Sequence, residues 1–197
     1  MTRIIGGAAG GRRLRTPSGA ATRPTSDRVR EALFSALESS LGTLAGHSFL
    51  DLYAGSGAIA LEAASRGAGP VLAIESDRRT AALVRANAAS VGLAVDVLAQ
   101  PVDRVLSRPA QAPYDVVFAD PPYPLSSAEL AATLSSLVGH GWLAMDGHVV
   151  VERSARSVEP RWPGGTVRTR SKEYGETVLW YLRAAPDGAA QERRSES

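Results

Sequence analysis

From Ser48 onward the sequence alternates short apolar runs with segments of helical period, and no other feature restricts the fold as much. SFLDLYA (48–54), PVLAIE (70–75), VDVLA (95–99), YDVVFAD (114–120) and GHVVVE (147–152) read as strands. Helices are predicted over 58–67, 77–91 and about 126–138 between them. Such alternation gives a parallel sheet covered on both faces, joined by right-handed crossovers. TVRTRSKEYGETVLWYL (166–182) breaks the pattern and reads as two antiparallel strands about a tight turn at Gly175. The predicted fold class is therefore α/β, a Rossmann-like seven-stranded mixed sheet with a C-terminal antiparallel hairpin.

The first 45 residues are expected to be an extension of that domain. RIIGGAAGGRRLRTP (3–17) reads as a β-hairpin, with strands around 2–6 and 11–15 joined by glycine-rich turn chemistry. RPTSDRVREALFSALESS (23–40) opens a helix: Thr25 or Ser26 can cap it, Asp27 lies in its first turn, and Val29, Leu33 and Leu37 form an apolar stripe. Residues 46–185 form the main domain, and the polar tail 186–197 is expected to be disordered.

Charge is unevenly spread along the chain. Its net value is only +2, yet the first thirty residues hold seven arginines (Arg3, Arg12, Arg13, Arg15, Arg23, Arg28, Arg30) against Asp27 alone. A basic arm on a mildly acidic body suits a polyanionic partner. With no cysteine among 197 residues, a disulfide framework and thiolate metal sites are excluded. The three histidines lack metal-ligand spacing, so no metal is expected. No membrane-length apolar run occurs, and a cytoplasmic location is expected. Trp142, Trp162 and Trp180 read as packing residues, and Tyr174 fits a turn and a substrate contact equally well.

DLYAGSG (51–57) follows a strand and opens a helix, and Glu75 ends the next strand twenty residues after Gly55. Glycines allow a tight turn and close ligand approach, and an acid at that distance accepts hydrogen bonds from ribose hydroxyls. The register Gly55-Ser56-Gly57-Ala58-Ile59-Ala60 leaves a dinucleotide open, because Ala60 is a permitted third position. Asp51 favours a cationic ligand instead, which points to the sulfonium of S-adenosylmethionine. Ala54 stands where a serine-hydrolase elbow needs glycine, which removes that reading.

Asp120-Pro121-Pro122-Tyr123 closes the fourth main-domain strand. An exocyclic base amine is a poor nucleophile because its lone pair is delocalised into the ring. Two acceptors that hold its hydrogens can redirect that pair. Asp120 offers one and the Pro121 carbonyl another, aimed by the φ restriction of Pro122. Tyr123 offers a stacking face.

With these motifs the chain resembles the DPPY amino-methyltransferases. The N-terminal RIIGG, GRRL and RPTSDRVREALF and the C-terminal KEYGET resemble, more specifically, the RsmD family of bacterial methyltransferases, which act on a guanine N2 in 16S ribosomal RNA. The match runs from about residue 3 to residue 183. The resemblance implies S-adenosylmethionine as cofactor, held by Asp51, Tyr53, Gly55, Ser56, Gly57, Glu75 and Thr25. It implies catalysis by Asp120, Pro121 and Tyr123. RNA contacts are implied for Arg12, Arg13, Arg15, Arg23, Pro122 and Tyr123. The implied partner is 16S rRNA in the 30S subunit or its assembly intermediate, met by a monomer. Similar proteins often carry an adenine-reading acid after the third strand, where this chain has Gln100 and Pro101, with Asp103 slightly late. A DNA adenine or cytosine amino-methyltransferase and a non-catalytic RNA-binding assembly factor are the alternatives. The short chain disfavours the first, and the intact Asp120 and Glu75 disfavour the second.

Overall fold

A computed structural model describes residues 2–17, 26–122 and 124–185. The elements follow in the order β1 (Thr2–Arg3), β2 (Arg13–Leu14), α1 (Asp27–Leu41), β3 (Phe49–Leu52), α2 (Ala58–Ser65), β4 (Val71–Ile74), α3 (Arg78–Val91), β5 (Asp96–Leu98), α4 (Val102–Leu106), β6 (Tyr114–Ala119), α5 (Ser127–Gly139), β7 (Leu143–Ser154), β8 (Thr166–Tyr174) and β9 (Thr177–Ala184). Strands β3 to β9 make a seven-stranded mixed sheet, the predicted class. The chain forms two compact units, one up to Pro101 and one from Val102.

In the first unit β3 and β4 pair in parallel, Phe49 with Val71 through Leu52 with Ile74, and β5 joins β4 in the same sense. All four residues of β3 and all four of β4 are buried, as a parallel strand covered on both faces requires. Ser26 caps α1 by accepting the Val29 N–H, which settles the choice between Thr25 and Ser26 as far as the described residues go. The fully buried Arg30 ties this helix to β1, donating to the Arg3 carbonyl at 2.7 Å and to Asp27 at 2.7 Å.

The basic hairpin is shorter than its sequence suggests, with only Thr2↔Leu14 and Arg3↔Arg13 paired. It is packed nonetheless. Ile4, Ala9 and Leu14 are buried together with Leu61 of α2 and Ala88 of α3. The carboxylate of Glu62, itself wholly buried, accepts the N–H of Ile5 at 2.6 Å and of Gly6 at 2.8 Å. Gly7 adopts φ +74, and a Cβ there would lie 1.9 Å from the Ser65 carbonyl oxygen, so only glycine permits the approach.

In the second unit β6 and β7 run parallel, β7 and β9 antiparallel, and β9 and β8 antiparallel. Tyr174 faces Thr177 across Gly175 and Glu176, a two-residue turn where a tight turn at Gly175 was predicted. Strand β7 starts before the predicted Gly147. Its register on β6 jumps from Tyr114↔Leu143 to Val116↔His148, and Asp146 at φ +65 absorbs the extra residues. The five-residue α4 was not anticipated. Leu130, Leu134 and Leu137 of α5 are buried, and Trp142 stacks on Tyr114 at 6.3 Å, the packing role expected of it.

Candidate active site

The glycine loop lies in the first unit, between β3 and α2. Its backbone turns through three successive left-handed residues at alternate positions: Tyr53 (φ +64), Gly55 (φ +53) and Gly57 (φ +77). For tyrosine that conformation costs on the order of 1–3 kcal/mol, the kind of strain functional loops carry. At Gly57 a Cβ would stand 2.6 Å from a methyl of the fully buried Val84, so the start of α2 can sit against α3 only without a side chain. Glu75, half-buried after β4, closes the loop. One of its oxygens accepts the Gly55 N–H at 2.9 Å, and the other accepts the Asp77 N–H at 2.8 Å. The carboxylate is thereby fixed at the mouth of the loop, in an orientation that leaves lone pairs for further donors. A strained backbone turn with a held carboxylate fits the adenosine and ribose of S-adenosylmethionine.

Asp51 occupies a deeper place. It is 1% exposed, and its side chain accepts the Ala60 N–H of α2 at 3.1 Å. Burial pushes its pKa up to about 8; the Ala60 bond opposes the shift and the nearby charge of Glu75 adds to it. Near neutral pH the group is therefore mostly protonated, and a cation brought next to it would favour the charged form.

Sequence reasoning missed Asn87. It is buried in α3, accepts the Arg15 N–H at 3.0 Å, and donates to the carbonyls of Arg15 at 2.9 Å and Ser56 at 3.2 Å. One amide thus joins the glycine loop to the basic hairpin. A polar residue in mid-helix was the only signal. Arg12, Arg13 and Arg15 are exposed, and Arg12 donates to the Ser90 carbonyl at 2.8 Å. Arg23 and Thr25 lie outside the described residues.

The proline corner lies in the second unit. Ala119 ends β6 opposite Val151, Asp120 follows half-buried, Pro121 is buried and Pro122 exposed. The Pro122 carbonyl accepts the Leu125 N–H at 2.9 Å, which folds the chain back into α5. Ser126 and Glu129 form a reciprocal capping box at that helix start. A second missed residue, Arg153 of β7, donates to the Leu125 carbonyl at 3.1 Å and holds the corner from the side. Tyr123 lies outside the described residues. Among the described residues no cluster of His, Cys, Asp or Glu could hold a metal ion, and no helix is long and apolar enough to cross a membrane. Asp103, in the first turn of α4, is exposed.

The fold is that of the class I S-adenosylmethionine-dependent methyltransferases. It is shared with magnesium protoporphyrin IX methyltransferase of Synechocystis PCC 6803, solved with bound SAM, at TM-score 0.64 and 14% identity over 80% of this chain and 79% of that one. The chain belongs to the family described as Conserved hypothetical protein 95, whose model matches residues 2–183, and this is the RsmD family that the motifs resemble. Ribosomal RNA small subunit methyltransferase D of Escherichia coli K12 is 35% identical over 178 residues, 89% of this chain and 86% of that protein. The solved structure of yhhF from Escherichia coli superposes at TM-score 0.82 with 33% identity, covering 93% of this chain and 98% of that one.

Proposed function

We propose that this protein transfers a methyl group from S-adenosylmethionine to the exocyclic N2 of a guanine in 16S rRNA, on the small ribosomal subunit or an assembly intermediate. The observation that carries the reading is the Asp120-Pro121-Pro122 corner at the end of β6, in a chain whose relatives are named as ribosomal RNA small subunit methyltransferases. When bound, S-adenosylmethionine supplies a methyl group on a sulfonium. Glu75 receives the ribose hydroxyls. The backbone of Gly55, Ser56 and Gly57 and the ring of Tyr53 line the nucleoside, Asp51 answers the positive charge, and Thr25 covers the methionine end.

Asp120 accepts one N–H of the guanine amine, and the Pro121 carbonyl accepts the other. Held by both hydrogens, the nitrogen turns its lone pair out of conjugation and toward the methyl carbon. With the S–C bond of the sulfonium breaking as the N–C bond forms, the donor would leave as a neutral thioether, and Asp120 would take the proton that the methylated nitrogen must lose. Tyr123 stacks on the base, a contact worth roughly 1–3 kcal/mol. Most of the rate gain then comes from orientation and electrostatics, without a covalent enzyme intermediate. A base reaches such a corner only when unpaired or flipped. The hairpin cations Arg12, Arg13 and Arg15, together with Arg23, contact phosphates.

The test supplies labelled S-adenosylmethionine with unmethylated small subunits, free 16S rRNA and duplex DNA, and maps the labelled base. Label on one guanine N2 of the subunit is expected, with Asp120→Ala lowering turnover at least 100-fold at unchanged cofactor affinity. Label on DNA alone, or normal turnover by Asp120→Ala, would overturn the reading.

A further inference from the structure

The register of the second unit places the C-terminal hairpin beside the proline corner. Ala119, the residue before Asp120, pairs with Val151 of β7. Three residues further along β7, Ser154 pairs with Thr177 of β9, and Thr177 pairs with Tyr174 of β8. The tip Tyr174-Gly175-Glu176-Thr177 therefore stands beyond the same sheet end at which Asp120 leaves the sheet. Three strand residues make an overhang of about 10 Å, and the step from β6 to β9 is two strand spacings, again about 10 Å. A few nucleotides cover that span.

The strand leading to this tip combines cations and rings. Arg168, Arg170 and Lys172 of β8 are all exposed. Arg168 lies 5.6 Å from the Trp180 ring centroid, but Glu159 engages its guanidinium at 3.1 Å. Arg170 lies 4.6 Å from the ring of Tyr181 and Lys172 5.5 Å from the ring of Tyr174. Beyond the bulge at Arg168/Arg170, residues 170, 172 and 174 share one face of the strand. β8 is also the edge strand of the sheet, so among the described residues no further strand pairs with its outer backbone edge.

We propose that Arg170, Lys172 and Tyr174 form a second rRNA contact, which takes the phosphodiester strand flanking the target nucleotide and stacks a neighbouring base on the Tyr174 ring. Cations set against aromatic rings are the chemistry that grips single-stranded RNA, phosphate by charge and base by stacking. A charged edge strand has another use, because it prevents sheet-to-sheet association. The two uses predict different losses. The proposal rests on the rRNA reading above, and its test separates the two.

Wild-type enzyme is first assayed on unmethylated small subunits. If it places no label on them, the rRNA reading itself fails. If it does, Arg170→Gln/Lys172→Gln is compared with it for subunit KM, kcat, salt dependence, S-adenosylmethionine affinity and oligomeric state. The expected result is a subunit KM raised about tenfold and a plot of log affinity against log salt shallower by about 1 to 2. Cofactor affinity and melting midpoint should stay unchanged. Arg183→Gln, which removes one cation at the far end of β9, should leave KM near wild type, whereas Lys172→Gln alone should raise it. Unchanged subunit KM and salt slope in the double variant, with or without self-association, would overturn the proposal. So would equal losses from Lys172→Gln and Arg183→Gln.

Discussion

The Glu75 carboxylate accepts the N–H of Gly55, twenty residues earlier, at 2.9 Å, so the acid that ends β4 also sets the shape of the loop that ends β3. Glu75→Gln keeps an oxygen for the Gly55 N–H but removes the charge and the acceptor of the Asp77 N–H. Hydrogen bonds to a charged group contribute about 1.5–3 kcal/mol, so affinity for S-adenosylmethionine should fall at least tenfold. Calorimetric titration checks this, with a melting midpoint lowered by no more than the single lost Asp77 bond as the sign that the loop is intact.

Asp51 makes stability depend on pH. Its folded-state pKa, raised to about 8, stands above the ordinary value of 3.8. Between those values the folded chain holds a proton that the unfolded chain has released, so stability falls as pH rises through that window. Asp51→Asn keeps an acceptor for the Ala60 N–H and has no proton to lose. Its melting midpoint should exceed that of the wild type by a few degrees at pH 8.5, and the difference should shrink toward pH 5. A pH-independent difference would show that Asp51 does not titrate in this range.

Arg153 should matter to turnover without touching the cofactor. Arg153→Gln loses the 3.1 Å bond to the Leu125 carbonyl and frees the chain that follows Asp120 and the prolines. Small misplacements of a reacting group can cost up to about 100-fold. We expect kcat to fall about tenfold at unchanged S-adenosylmethionine affinity, measured under saturating substrate.

The basic hairpin should govern substrate binding. Arg12→Gln/Arg13→Gln/Arg15→Gln removes three exposed cations, one of them bonded to Ser90. Affinity for small subunits should drop, and its salt dependence should flatten by about 2 to 3 in log–log slope. Titration across a salt series reads both.

What the sequence disclosed depended on how local each signal was. YDVVFAD marks β6 because a buried strand is a continuous apolar run. Glycine spacing, a signal just as local, marked the left-handed turn between β3 and α2. The early start of β7 was hidden by Asp146, whose left-handed backbone lets the strand absorb residues that alternation forbids. Five residues after Pro101 are too few to show a period, so α4 left no trace. Arg153, Asn87 and Glu62 were illegible because their partners lie 28, 72 and 57 residues away. An isolated polar residue carries no mark of what it will meet.

Glu62 has a consequence for how such a protein can change. It holds the N–H groups of Ile5 and Gly6 from a fully buried position, beneath a hairpin that also covers Leu61 and Ala88. Losing the first seventeen residues would take away two of its donors, leaving it to Arg66, whose Nε donates to it at 2.8 Å, and would uncover Leu61 and Ala88. A lineage that sheds the basic arm by a late start codon therefore loses part of the support of the folded domain as well.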